Sequence, residues 1–286
     1  MTIRKVLVAV AGRGLCEQML NMLLDIPSFR PELVTVLHVV PSQISAAGMS
    51  AKLEEGGKIL AEAVESLNMD ANKVNPRLKQ GDPKTIVCEV ADEEDSDLII
   101  MGSRALGRLQ AILENSVSQY VFQLTSRPML LVKDDVYVKK VRRVMVALNA
   151  SAEAMQCLKV GLSFVKDIPG SQLILTHVKK DATGKSGEDL TPAEAEKDPV
   201  LALAASEAKK MGVNYRCVAA SGKLGPEICR IADDVNADLL MMGSPDRRPS
   251  IAKSIVDLDK LLGTSLSDYV RVYANCPVLL TRNINI

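Results

Sequence analysis

The chain has 286 residues, and its 35 Lys plus Arg balance 35 Asp plus Glu, so the formal net charge is zero. Half that length is an ordinary domain size, which admits one large domain or two ordinary ones. The balance excludes a dedicated nucleic-acid binder, which needs a basic excess, and 3% aromatics with no Trp supply no base-stacking platform.

The N-terminus runs at once into the strand-like Lys5-Val-Leu-Val-Ala-Val10, too quickly for a signal peptide. No apolar run approaches the roughly 18 residues of a membrane helix. A cytoplasmic protein is therefore expected, with no membrane or nucleic-acid partner. Strands are read near 5–11, 33–40, 74–79, 97–102 and 128–132, the later ones rich in Leu and β-branched residues as buried strands are. Helices fall between them. The one after Asp82-Pro83 sets Ile86, Val87, Val90 and Ala91 on one face. Pro83 suits the first turn. A short charged stretch, 133–140, follows.

The pattern then starts again. Arg143-Val-Met-Val-Ala-Leu148 repeats the first strand, and the chain's two histidines, His38 and His177, sit in matching strand ends. The polar segment 179–199 carries a capping box, Thr191-Pro192-x-Glu194, which predicts a helix from about 192 to 211. Ile228, Ile231, Ala232 and Val235 form the next helical stripe, with Pro226 in its first turn. Asp238-Leu-Leu-Met-Met-Gly-Ser244 repeats Asp97-Leu-Ile-Ile-Met-Gly-Ser103. Ser265-Leu-Ser-Asp-Tyr-Val270 repeats Ser116-Val-Ser-Gln-Tyr-Val121, and Pro277-Val-Leu-Leu280 repeats Pro128-Met-Leu-Leu131.

Five ordered blocks make this an internal duplication. The offset drifts slowly and then jumps by eight between Gly243 and Ser265, which marks an insertion in the second copy. The expected organisation is one domain over 1–136 and a second over 140–286, with the insertion near 245–263. Alternation of strand and helix implies an α/β fold: two repeated five-stranded parallel-sheet domains with helices on both faces. Ligands on such sheets bind beyond the carboxyl ends of the strands. The places to look are after Val10, Val39 and Met101, and at their counterparts.

Gly102 ends a strand, and 14 residues later Ser116 opens a helix. A strand-end glycine lets backbone approach a phosphate. A serine at a helix N-terminus adds a hydroxyl, unpaired N–H groups and the positive end of the dipole. The bland alternative is a turn glycine and an N-cap. Other candidates are weak. Thr183-Gly-Lys-Ser186 looks like the end of a P-loop, but Lys179 stands where its glycine is required. Gly12-x-Gly14 lacks the rest of a dinucleotide fingerprint. Two single histidines are not spaced for metal, so no metal site is expected. The six cysteines lack any CxxC pair and read as reduced, buried thiols. The acidic run Glu89 to Asp97 reads as a solvated helix face. No nucleophile and base recur together at matched positions in both copies, so catalysis is not expected.

Taken together, the strand-one block, the His-Val strand end, Gly81 and Gly222, the Asp-Leu-Ile-x-Met-Gly-Ser block, the Ser-Val-Ser-x-Tyr-Val helix and the Pro-x-Leu-Leu strand resemble the universal stress protein family. The resemblance covers nearly the whole chain, twice, as a tandem protein. It implies a sheet of strand order 3-2-1-4-5 in each copy, a role in stress response, and pairing through the final strands. That pairing would be either a homo-oligomer or an intramolecular pseudo-dimer. Many members bind ATP through G-x2-G-x9-G-[ST]. Here the first copy reads Gly102-x2-Ala105-x9-Asn115-Ser116, and the second reads Gly243-x2-Asp246, the insertion, then Gly263-Thr264-Ser265. The aspartate that such members carry after strand one is replaced by Ala11 and by Asn149.

The resemblance thus implies an adenine nucleotide, ATP or AMP, as a ligand that is not an essential cofactor. It assigns Gly102, Ser116 and Val117 to phosphate, with Arg104 and Asn115 in the same loop, and Val39 and Met101 to the adenine side. Asn149, Gly243 and Ser265 are the second copy's candidates. A regulatory nucleotide-binding protein is one reading, and a ligand-independent dimerising scaffold is the other. A slow ATPase is a weaker third.

Overall fold

The computed structural model describes residues 3–103, 116–133, 140–180, 188–245 and 265–282. The P-loop-like Thr183–Ser186, most of the connector, and all of the insertion except Pro245 lie outside these residues, as do Arg104, Ala105, Asn115 and Asp246.

The first repeat contains β1 (Lys5–Ala9), β2 (Leu33–Val40), β3 (Val74–Gln80), β4 (Leu98–Ser103) and β5 (Met129–Lys133). Its helices are α1 (Leu15–Leu24), α2 (Ala46–Glu65), α3 (Pro83–Glu93) and α4 (Val117–Leu124). The second contains β6 (Arg143–Leu148), β7 (Gln172–Lys180), β8 (Glu188–Leu190), β9 (Tyr215–Gly222), β10 (Leu239–Gly243) and β11 (Val278–Thr281). Its helices are α5 (Ala152–Lys166), α6 (Pro192–Ala195), α7 (Pro199–Lys210), α8 (Leu224–Asp234) and α9 (Leu266–Tyr273).

All these strands form one sheet, in the order β3-β2-β1-β4-β5-β11-β10-β6-β7-β9-β8. Each repeat shows the 3-2-1-4-5 order with parallel pairing. Two antiparallel contacts make the whole sheet mixed. One is β8 on β9, at the outer edge of the second repeat. The other joins the repeats: Val278, Leu279 and Leu280 of β11 face Leu131, Leu130 and Met129 of β5. The final strands therefore pair within the chain. Each covers an apolar edge that would otherwise expose unpaired backbone.

Because side chains alternate along a strand, the sheet divides the core into two layers. Val6 and Val8 pack with Cys16, Met19 and Leu20 of α1 and with Cys157 and Leu158 of α5. Leu7, Ile99 and Met101 face the other way, with Val87 and Val90 of α3, Val121 of α4, and Ile228 and Ile231 of α8. Both layers run through both repeats. An edge-on contact between Phe29 and Phe164, with centroids 6.1 Å apart, crosses the junction in the first layer.

Several repeated residues have structural causes. Asp97 Oδ2 accepts from Arg4 N and Lys5 N at 2.8 and 2.9 Å, and Asp238 Oδ2 accepts from Arg142 N and Arg143 N at 3.0 and 2.7 Å. Each aspartate thus anchors the start of the neighbouring central strand. Gly81 and Gly222 both adopt φ 147°, a conformation that L side chains rarely reach, where the chain turns from strand to helix. The acidic run is a helix end whose exposed Asp92 and Asp95 pair with Arg127, while Glu94 pairs with Arg77 at 2.6 Å.

The helix expected over 192–211 is instead two. The capping box is present, with Glu194 Oε2 accepting from Thr191 N at 2.9 Å, but α6 lasts one turn. Pro199 has no N–H to continue the helix, and Asp198 caps a new one by accepting from Val200 N and Leu201 N. The thiols behave as the composition suggests. All six cysteines are free, and five are buried with Cys88 half-buried. Burial pushes the thiols of Cys88, Cys157, Cys229 and Cys276 up to about 12. Among the described residues no helix is long and apolar enough to cross a membrane, and no group of three His, Cys, Asp or Glu is placed to hold a metal.

Candidate functional site

Beyond the carboxyl ends of β1, β2 and β4 lies a cavity of about 570 Å³. This is within the roughly 300–1,000 Å³ range of small-molecule sites. Val39, Met101, Gly102, Ser116 and Val117 all line it. The topology thus brings together residues separated by up to 78 positions, because β1 and β4 are adjacent while β2 lies on β1's other side. Ala11 lines it too, at the end of the first strand.

Ser116 is the N-cap of α4 in extended conformation, and its side chain makes no capping bond to the helix. Its Oγ lies 3.0 Å from Ser118 Oγ. The first N–H groups of α4 have no partner inside the helix, as at any helix start, and Val117 and Ser118 of that first turn line the cavity. This end of the cavity is chemically suited to an anion.

Sequence reasoning missed several lining residues, Ser118, Arg13, His38 and Glu17 among them. Arg13 lines the cavity and is a cationic residue. His38 contributes a ring whose Nδ1 is 2.9 Å from Val10 O, which fixes it at the strand end. Glu17, only 3% exposed, lines the cavity from the first turn of α1. Burial raises its pKa, while the backbone N–H groups of Glu17 and Cys16 partly offset this by bonding the carboxylate. Its signal in the sequence is position: it lies between Cys16 and Leu20 on the buried side of an amphipathic helix, where a carboxylate is out of place.

The second repeat has a cavity at the equivalent address, but of about 260 Å³. Asn149 and Gly243 line it; Ser265 does not. Ser265 is 6% exposed and its hydroxyl is engaged. It accepts from Asp268 N at 3.1 Å and donates to Asp268 Oδ2 at 2.7 Å. The start of α9 therefore already holds a carboxylate, where the first repeat has Gln119. Gly243 is held by packing. A Cβ there would lie 2.4 Å from Glu153 C and 2.5 Å from Ala154 N, in the backbone of α5. Asn149 Oδ1 accepts from Ser151 N at 2.9 Å, starting that same helix.

The histidines also differ. His177 Nδ1 lies 2.9 Å from Asp198 Oδ2, and Lys179 Nζ is 3.0 Å from the same atom. Burial works against the Asp198 charge, but His177, Lys179 and the Leu201 N–H outweigh it and hold the carboxyl at about 2.

Comparison with known proteins agrees with this architecture. The curated relatives include a universal stress protein of Methanocaldococcus jannaschii, 27% identical over 129 residues, which are 37% of this chain and 80% of that protein. Another is a Bacillus subtilis universal stress protein, 26% identical over 145 residues, or 45% of this chain and 98% of the relative. The crystal structure of a universal stress protein from Archaeoglobus fulgidus matches 98% of this chain and 97% of its own, with a TM-score of 0.74 at 21% identity. At that identity the match speaks for the fold. The sequence model of the universal stress protein family matches residues 2–133 and again residues 140–282. The chain therefore belongs to the universal stress protein family, as a tandem of two family repeats.

Proposed function

We propose that the chain is a non-catalytic regulatory protein that takes up one adenine nucleotide, ATP or AMP, in its first repeat. The observation that carries this reading is the 570 Å³ cavity that ends on the N-terminus of α4, where Ser116, Val117 and Gly102 meet. Phosphate would sit on the N–H groups of Val117 and Ser118 and the Ser116 hydroxyl, with the helix dipole behind them. Arg13 adds positive charge. Val39 and Met101 offer an apolar and thioether surface for the base. Glu17 takes a part that Ala11 leaves open, as an acceptor for a sugar hydroxyl.

The second repeat is read differently, because Asp268 holds the equivalent helix start with its own carboxylate. Titration calorimetry of the full chain with AMP and with ATP tests the proposal. One site per chain is expected. Gly102→Val should weaken binding at least tenfold, about 1.4 kcal/mol, by blocking backbone approach. Two equal sites, or a Gly102→Val protein that binds as well as the parent, would overturn it. No binding of either nucleotide would favour the scaffold reading.

A further inference from the structure

The helices α3 and α4 of the first repeat correspond to α8 and α9 of the second, but the two pairs finish their outer faces differently. In the first repeat, two cations of the chain itself complete the face. Lys84 Nζ stands 4.7 Å from the centroid of the Tyr120 ring. Arg127 reaches Asp92 and Asp95 at the end of α3, each at 3.2 Å. An ammonium is attracted to the electron-rich face of a tyrosine, and a guanidinium to carboxylates.

The second repeat keeps receiving groups and lacks both cations. By the repeated blocks, Tyr269 matches Tyr120 and Asp233 matches Asp92, while Gly225 replaces Lys84, Cys276 replaces Arg127 and Asn236 replaces Asp95. The Tyr269 ring lies where a side chain on residue 225 would be: a Cβ on Gly225 would stand 2.5 Å from its Cδ1. Tyr269 also stacks on Tyr273, which replaces Leu124, with ring centroids 4.3 Å apart. Tyr273 is 48% exposed. Asp233 is exposed too, and accepts from the neutral Asn275 amide, two residues beyond Tyr273, at 3.0 Å. Among the described residues Asp233 makes no ion pair. Arg230 of α8 is committed to Glu227 at 2.7 Å and to Asp234. Among the described residues, neither it nor Lys223 at the N-cap of α8 lies over a tyrosine ring.

We propose that the α8–α9 face is a docking surface for a basic segment of a partner protein, with one Lys or Arg side chain seated on the open ring of Tyr273 and a second on Asp233. The first repeat shows what such a face takes, because there the chain supplies cations to the same places. None of Gly225, Asp233, Tyr269 and Tyr273 lines either cavity, so partner docking and nucleotide uptake occupy separate parts of the protein.

The full chain is labelled with ¹³C in its tyrosine rings, and signals are assigned with Tyr120→Phe, Tyr269→Phe and Tyr273→Phe. It is then titrated with the peptides Arg-Gly-Arg-Gly-Arg and Glu-Gly-Glu-Gly-Glu. The basic peptide should shift Tyr269 and Tyr273, while Tyr120, whose face Lys84 covers, stays in place. The acidic peptide should shift none of them. Tyr273→Leu, which installs the first repeat's residue, should weaken the affinity reported by Tyr269 about threefold to fivefold. Asp233→Asn should weaken it about threefold at low salt and less as salt is raised. Both side chains are exposed, so these variants should fold. Tyr269 and Tyr273 rings that ignore the basic peptide, or answer the acidic one equally, overturn the proposal. So does an affinity indifferent to either substitution. A Tyr273 signal that moves with protein concentration alone also overturns it, because the occupant would then be a second copy of the chain.

Discussion

Lys133 and Arg282 occupy equivalent places at the ends of the two final strands, and each donates into the last turn of the other repeat's helix. Lys133 Nζ reaches Val272 O in α9 at 2.6 Å, while Arg282 Nη2 bonds Phe122 O in α4 and its guanidinium lies 4.2 Å from the Phe122 ring centroid. Both side chains are almost fully buried. Carbonyls at a helix end lack intrahelical partners and carry the negative end of the dipole, so a cation there satisfies both needs. The exchange ties the repeats together beside the β5–β11 pairing.

Replacing Arg282 by Met keeps bulk but removes the charge and its bonds. A loss of about 2–4 kcal/mol in unfolding free energy is expected, since Phe122 O and Pro245 O both lose a charged donor. Lys133→Met should cost about 1.5–3 kcal/mol on the same grounds. Urea unfolding followed by circular dichroism measures both. Midpoints within error of the parent protein would show that the exchange contributes nothing.

Asp198 sets an acid limit on the second repeat. Its carboxyl is held at about 2, below its ordinary 3.8. A depressed carboxylate contributes stability that is complete above the unfolded value and is lost as pH falls through the folded one. The window is therefore about pH 4 down to pH 2, and the contribution is about 2 kcal/mol. Asp198→Asn should lower stability at neutral pH and flatten its fall in that window. An unchanged acid limb in thermal melts from pH 2 to 5 would contradict the assignment.

Glu17 has the opposite sign. Its folded pKa is raised, chiefly by burial. The stability it contributes is complete below the ordinary carboxylate range and declines as pH rises through the raised value. Glu17→Gln should be more stable than the parent at neutral pH, with the difference vanishing in acid. Melting temperatures across pH 3 to 8 give the comparison, and a variant less stable at pH 7 would reverse the reading.

Gly243→Ala puts a methyl group against the α5 backbone, where a Cβ would lie 2.4 Å from Glu153 C. Backbone cannot yield as a side-chain tip does, so a loss of at least about 2 kcal/mol is expected. Gly57→Ala, whose added Cβ meets nothing within 4 Å, is the control. Equal melting temperatures for the two variants would remove packing as the reason for Gly243.

Much of this was legible from residue order alone. Periodicity exposed the strands and helix faces, and the repeated blocks exposed the tandem organisation. The first cavity's Val39, Met101 and Gly102 were readable because strand ends of a parallel sheet converge on one edge, and Ser116 because a serine opens a helix 14 residues after Gly102. What stayed hidden depends on partners distant in sequence. β8 has three residues, too few to show alternation, and exists through pairing with β9. The break at Asp198-Pro199 was overridden by a strong capping box at Thr191. Ser116 and Ser265 read alike in sequence; only Asp268, three residues on, separates their chemistry. Glu17 needed the helix phase and the cavity together.

The most direct test of the central claim is a comparison of backbone amide shifts in the ¹⁵N-labelled full chain with AMP and with adenosine, which differ by the phosphate. AMP should move the Val117 and Ser118 amides at the start of α4 well beyond any effect of adenosine, while Leu266 and Ser267 at the start of α9 stay in place. Movement of Leu266 and Ser267 in place of Val117 and Ser118, or equal effects from adenosine and AMP, would contradict it.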